Sequence, residues 1–218
     1  MTDKLIAGFE RFRSEAYEGR NALMPQLAAD GQKPDYFIIS CIDSRANPGI
    51  IFKTEPGTFF AHKAMGAIVR PYKKGTALAA ALQFALQYNQ VSKLIVLGHT
   101  GCGAVKALVE NIDDEEISSF VEVARAGVEK AKQCACAEDT HDDIYRHSEE
   151  QIVLESVSNL MTYPSVQKAI TEGRAEIKPW LFDMSGGDLL EYDENVKAFT
   201  SLIHQSPLSK SGVKDCHA

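Results

Sequence analysis

Leu5, Ile6, Phe9 and Phe12 recur at three- and four-residue spacing, and Leu23 and Leu27 follow beyond Gly19 and around Pro25. Residues 3–28 therefore predict one or two amphipathic helices whose apolar stripe packs on a neighbouring surface. The pattern changes after the turn-forming run Asp30-Gly31-Gln32-Lys33-Pro34. Tyr36-Phe37-Ile38-Ile39-Ser40-Cys41 is continuously apolar and rich in β-formers, the signature of a strand buried on both faces. A second strand is expected near residues 58–62. Residues 76–88 are rich in Ala and Leu and free of Pro, which predicts a helix, and Lys93-Leu94-Ile95-Val96-Leu97 predicts another buried strand after it.

The order strand, helix, strand points to a parallel arrangement. Gly98 to Gly103 reads as a glycine-punctuated loop, after which residues 104–110 resume a helical pattern. Further helices are expected over 116–132 and 148–170, with the polar stretch 138–146 as a loop between them. Residues 176–183 and 189–192 read as strands of a hairpin around Ser185-Gly186-Gly187. A frayed tail is expected from residue 206. The chain shows no internal repeat and no low-complexity segment.

At 218 residues, with 44% hydrophobic and 24% charged residues, the chain has the makings of one α/β domain spanning residues 1–218, with a core that needs no disulfides. A net charge of −7 and a pI near 5.4 argue against partners with phosphate backbones or anionic lipid surfaces. No nucleic-acid or membrane partner is expected. Neither a signal-peptide core nor a run of eighteen apolar residues occurs, so a soluble, cytoplasmic protein is expected. Five cysteines, an odd number, read as ligands, nucleophiles or buried small residues rather than as a disulfide framework.

Two of those cysteines carry chemistry. In the expected sheet, Cys41 falls at the carboxyl end of one strand, and His99 and Cys102 fall on the loop leaving another. That edge is where loops from neighbouring parallel strands converge on ligands. Zinc takes thiolate and imidazole ligands, and a catalytic site supplies three of them and leaves a fourth position open. Cys41, His99 and Cys102 fit that description. By itself the His-x-x-Cys spacing is weak, since a buried cysteine is ordinarily packing. Cys41-Ile42-Asp43-Ser44-Arg45 strengthens it by placing a carboxylate and a guanidinium at the same edge, where they can pair bidentately. Cys134, Cys136, His141 and His147 do not read as a second site, because cysteines one residue apart in a helical pattern point to different faces. His62 reads as a strand residue, His204 as a surface residue and Cys216-His217 as solvated tail.

Cys41-x-Asp43-Ser44-Arg45 followed by Gly98-His99-x-x-Cys102-Gly103 resembles the signature of the β-class carbonic anhydrases. Glu55-Pro56-Gly57, Val69-Arg70-Pro71-Tyr72, Asn159-Leu160-Met161-Thr162-Tyr163-Pro164, Trp180-Leu181-Phe182-Asp183 and Gly187-Asp188-Leu189-Leu190 resemble family positions too, so roughly residues 35 to 195 are covered. The resemblance implies an α/β fold with a parallel-core sheet of about four strands flanked by helices. It also implies a helical arm over residues 1–30 and a homodimer or higher homo-oligomer with the site near the subunit interface. It implies one Zn2+ per subunit and the reversible hydration of carbon dioxide to bicarbonate and a proton by zinc-bound hydroxide. Asp43 would accept a hydrogen bond from that hydroxide, or in a closed state rotate onto the metal as a fourth ligand, and Arg45 would hold Asp43 away from it.

Glu55, Lys63 and Gly103 are candidate lining of the substrate pocket. The chain departs from the family where an Arg-Asn pair is usual and Lys63-Ala64 stands instead. Lysine keeps the charge and loses the planar fork that grips a carboxylate. Reduced turnover or a higher pH threshold, with weak or absent regulatory inhibition by bicarbonate, is the expected consequence. The departure also leaves room for hydrolysis of carbonyl sulfide or carbon disulfide on the same zinc. A third alternative is a non-catalytic zinc or thiol-switch module.

Overall fold

The computed structural model describes residues 2–19, 22–134 and 139–203. Helices α1 (Asp3–Tyr17) and α2 (Leu23–Asp30) precede β1 (Tyr36–Cys41), α3 (Pro48–Ile51), β2 (Phe59–Ala64) and α4 (Ala77–Gln83). Then follow β3 (Lys93–His99), α5 (Gly103–Val109), α6 (Glu115–Val121), α7 (Arg125–Cys134), α8 (His141–Leu160) and α9 (Pro164–Thr171). Strands β4 (Glu176–Asp183), β5 (Asp188–Asp193) and β6 (Ala198–Ser201) close the described chain. The expected tail from residue 206, together with His204, Cys216 and His217, lies outside the described residues, as does Cys136.

The sheet runs β2-β1-β3-β4-β5-β6, with β2, β1, β3 and β4 mutually parallel and β5 and β6 antiparallel. The four-stranded parallel core is as the sequence implies. Strand order reverses between β1 and β3, because the chain leaves β1 for one side and returns to the other. Such a switch point opens a crevice beyond the carboxyl ends of its two strands, and here those ends carry Cys41 and His99.

Alternation along the strands divides the core. Phe37, Ile39, Leu94 and Val96 face a layer built with Leu82, Leu86, Val153, Leu160 and Val166, all fully or almost fully buried. Ile38, Ile95 and Leu97 face the other way, under Phe52, Trp180 and Phe182. α8 crosses β3 so closely that a Cβ on Gly98 would collide with Val153 and lie 3.2 Å from Leu181 Cδ1. Glycine at 98, one residue before His99, is thus what lets α8 lie directly behind the end of β3.

Several boundaries differ from expectation, each for a local reason. Within the expected loop 138–146, residues 141–146 are helical: Thr140 caps α8, its hydroxyl accepting from Asp143 N while Asp143 Oδ2 accepts from Thr140 N at 2.8 Å. This capping box starts the helix at His141. The helix expected over 148–170 breaks after Leu160 and restarts at Pro164, where a proline suits the first turn. The helix expected over 116–132 is two helices joined by a single 3-10 turn over Glu122–Ala124. His99 belongs to β3 itself rather than to the loop after it, pairing with Phe182. Strand β6 was not foreseen; it is four residues long and too polar to show a period.

Leu5, Ile6 and Phe9 of α1 are 77%, 54% and 59% exposed. The predicted apolar stripe exists and is left uncovered by the chain's own core.

Candidate metal centre

The apolar run of β1 ends at Cys41, and the polar Asp43-Ser44-Arg45 that follows turns the chain. Asp43 Oδ1 accepts from Arg45 N at 2.8 Å and so caps the short 3-10 turn Ser44–Ala46. From the neighbouring strand end, His99 projects beside Cys41, and Cys102 stands at the start of α5, two residues past Thr100. Sγ of Cys41, Sγ of Cys102 and a ring nitrogen of His99 all lie within 4.8 Å of one another, and all three residues are buried. With ligand bonds of about 2.0–2.3 Å, that spacing suits one ion shared by all three.

Each candidate ligand is oriented. His99 Nδ1 sits 2.9 Å from the Thr100 carbonyl, so Nδ1 carries the proton and donates it there. Nε2 is then the free lone pair, buried and without a hydrogen-bond partner. An orphaned buried imidazole nitrogen facing two buried sulfurs is costly unless something fills the gap. Cys41 Sγ accepts from Gly66 N at 3.3 Å and from Asp43 N at 3.5 Å. Gly66 makes that approach at φ +62°, a left-handed conformation that other residues rarely adopt, and a Cβ there would press on Ile68 and Ala104 at 3.1 and 3.2 Å.

Electrostatics agree with the geometry. The Cys102 thiol hydrogen-bonds into Cys41 and, with His99 and the Asp43 N–H, pulls the Cys41 pKa far down against the opposing effect of burial. The same interaction, with burial, pushes Cys102 up. Burial alone would lower the His99 pKa, but the Cys41 thiolate and the Thr100 carbonyl outweigh it and raise it. Ile68, Val105, Leu108 and Ile152 surround the two sulfurs with apolar walls, which exclude water and strengthen interactions with any charge placed there. A nitrogen-and-sulfur donor set with three ligands fits zinc, with a fourth position left over.

Arg45 grips the carboxylate of Asp43 from the rim, Nε to Oδ1 at 3.1 Å and Nη2 to Oδ2 at 2.7 Å. That fork holds the Asp43 pKa well below the usual carboxylate range, so it stays anionic throughout the neutral region. Of the proposed pocket residues, Gly103 follows Cys102 directly and is exposed. Lys63 lies on edge strand β2, its Nζ 3.4 Å from the Ala46 carbonyl beside Arg45. Ala64 is in register with Cys41 itself. Glu55 stands exposed in the turn ahead of β2, and its carboxylate makes no hydrogen bond or ion pair to the cluster among the described residues. Cys134, at the end of α7, is a free, half-buried thiol, and Cys41-His99-Cys102 is the only such ligand cluster among the described residues.

The pattern of the sequence did not single out Glu149. Its Oε1 accepts from Cys102 N at 2.9 Å, and it is 5% exposed, with burial raising its pKa to about 7. The signal was there: Glu149 shares a helical face with Ile152, Val153 and Ser156, all buried. A carboxylate on an apolar stripe is an anomaly that calls for a partner.

Known proteins resemble the chain along nearly its whole length. The family model described as carbonic anhydrase matches residues 36–189. A carbonic anhydrase of Pseudomonas aeruginosa is 30% identical over 215 residues, covering 95% of each chain. The structure of the β-carbonic anhydrase CcaA superposes with a TM-score of 0.80 at 26% identity, covering 95% of this chain and 93% of that one. One of two tetrameric β-carbonic anhydrases of Sordaria macrospora shares the fold at a TM-score of 0.72 and 22% identity, over 91% of this chain and 95% of that one. The likeness in sequence includes both strand ends and the loops that carry Cys41, His99 and Cys102, and the chain belongs to the β-carbonic anhydrase family, whose general activity is the hydration of carbon dioxide.

Proposed function

We propose that this chain is a single-domain zinc lyase that holds one Zn2+ through Cys41 Sγ, His99 Nε2 and Cys102 Sγ and interconverts carbon dioxide and bicarbonate. The observation that carries the reading is the unpartnered, buried Nε2 of His99 facing two buried sulfurs. Zinc bound there supplies a Lewis-acidic centre that lowers the pKa of water, familiar from carbonic anhydrases built on three histidines. The chain's own residues do the rest. The apolar walls around the sulfurs favour a neutral gas over water. Asp43, anionic and fixed, offers a hydrogen-bond acceptor of one defined orientation beside the cluster. Arg45 fixes that orientation and keeps the carboxylate out of the ligand set.

Arg45→Ala is therefore expected to leave the zinc content at one per chain while lowering kcat/KM by about 10–100-fold, the range typical when a group orienting a metal site is removed. The loss should be deepest towards pH 6.5, where Asp43, released, competes best for the fourth position. Measurement of carbon dioxide hydration from pH 6.5 to 9 checks this. Wild-type rates at every pH would remove Arg45 from the account.

The reading extends to a homodimer or larger homo-oligomer. Supporting it are the uncovered stripe of Leu5, Ile6 and Phe9 on α1 and the tetrameric form named for the Sordaria relatives. No described helix is long and apolar enough to cross a membrane.

A further inference from the structure

We infer that Glu149 is a positioning residue for the metal centre: its carboxylate anchors the backbone of the Cys102 loop from behind and so fixes where the Cys102 sulfur points. The inference rests on the metal reading above and adds to it a residue outside the ligand set and outside the Asp43–Arg45 pair.

Three observations carry it. First, the loop needs an external acceptor. Cys102 stands at the cap position of α5, yet its side chain makes no capping hydrogen bond, being turned instead towards Cys41 and His99. The Cys102 N–H is satisfied by Glu149 Oε1 at 2.9 Å. Second, Glu149 has no other visible task. It lies 5% exposed on the inner face of α8, and no ion pair among the described residues claims it: the neighbouring Arg146 pairs with Glu150 at 2.9 Å. A residue kept only to fill the core would be apolar, as Ile152 and Val153 are one turn further on. Burying a carboxylate is expensive unless its hydrogen bonds are worth keeping. Third, α8 is a firm platform. It packs on β3 through the Gly98–Val153 approach and reaches α5 as well, so one rigid helix registers both the strand end that carries His99 and the loop that carries Cys102.

The role requires an acceptor atom rather than a charge. Glutamine at 149 can offer the same carbonyl oxygen to Cys102 N, whereas leucine or alanine offers none. Losing the acceptor leaves the buried Cys102 N–H without a partner, which favours a shifted loop and a displaced sulfur. Groups that orient metal ligands from outside are worth about 10–100-fold in metal affinity.

The test uses the full chain, stripped of metal and titrated with Zn2+ against a chromophoric chelator, then with Co2+ to record the thiolate-to-cobalt charge-transfer and ligand-field bands. Wild type is expected to bind one ion with a tetrahedral cobalt spectrum. Glu149→Leu and Glu149→Ala, each of which removes the acceptor, should bind Zn2+ about 10–100-fold more weakly and give altered cobalt bands. Glu149→Gln should restore both readouts. Val157→Ala, on the same helix but packed in the other part of the core, should lower the melting temperature and leave both readouts alone. The inference is overturned if either acceptor-free variant binds metal and absorbs like wild type. It is overturned equally if Glu149→Gln is as weak as Glu149→Leu, or if Val157→Ala loosens the metal as much. A wild type that binds no metal at all would instead overturn the zinc reading itself.

Discussion

Cys41→Ser loses the metal. The thiolate at 41 is one of two soft, negatively charged members of the proposed ligand set, and the backbone N–H groups of Asp43 and Gly66 point at its sulfur. A serine hydroxyl keeps the size and forfeits the charge, because it does not ionise near neutral pH, and zinc has little affinity for it in this setting. Structural zinc sites bind with about 10–16 kcal/mol, so removing one of three ligands turns a retained ion into one that a chelator strips. Zinc measured after dialysis against a chelator should fall from one per chain to below about a fifth of that, and carbon dioxide hydration should fall with it. Replacing Cys134 and Cys136 together by serine should leave the content at one. Full zinc in Cys41→Ser would sink the ligand assignment, and loss of an equivalent in the double variant would reveal a second site.

Asp43→Ala keeps its zinc and loses its rate. Asp43 lies beside the cluster and is held by Arg45, so the metal has no need of it. What disappears is an anionic acceptor of fixed direction next to the reacting position. A misdirected or unassisted nucleophile of this kind costs roughly 10²- to 10⁴-fold. Because Arg45 keeps the Asp43 carboxyl ionised far below neutrality, the deficit should be nearly constant between pH 6.5 and 9. Steady-state hydration rates normalised to zinc content check it. A variant as fast as wild type, or one that has shed its metal, would show that the pair does something else.

Much of this centre was legible before any coordinates, and the reason is local chemistry. The run Phe37-Ile38-Ile39 is apolar without a break, which only a strand covered on both faces tolerates, so Cys41 had to fall at a strand end. The signature around His99 and Cys102 likewise pointed to the two residues that the fold brings beside Cys41. Less was legible wherever a boundary depended on side chains closing on their own backbone. Thr140 and Asp143 start α8 seven residues before the apolar pattern does, and hydrophobic periodicity does not register a cap. β6 exists because β5 offers it an edge, a property of the partner strand rather than of residues 198–201. Glu149 went unnoticed because its significance lies in what it faces across the core, the Cys102 N–H 47 positions away in sequence. Glu55 was named from a family position rather than from its own pattern, and its carboxylate stands exposed in the turn ahead of β2.

The most direct test of the central claim is stopped-flow carbon dioxide hydration by the purified chain, metal-free and then reconstituted with Zn2+, from pH 6.5 to 9, with carbonyl sulfide and carbon disulfide assayed in parallel. The account predicts no catalysis without metal, a hydration rate that rises in proportion to bound zinc up to one ion per chain, and activity that increases with pH. Zinc bound at one per chain with no hydration at any pH would contradict it: turnover of a sulfur compound would make the chain a hydrolase on the same centre, and turnover of nothing would make it a zinc or thiol-switch module.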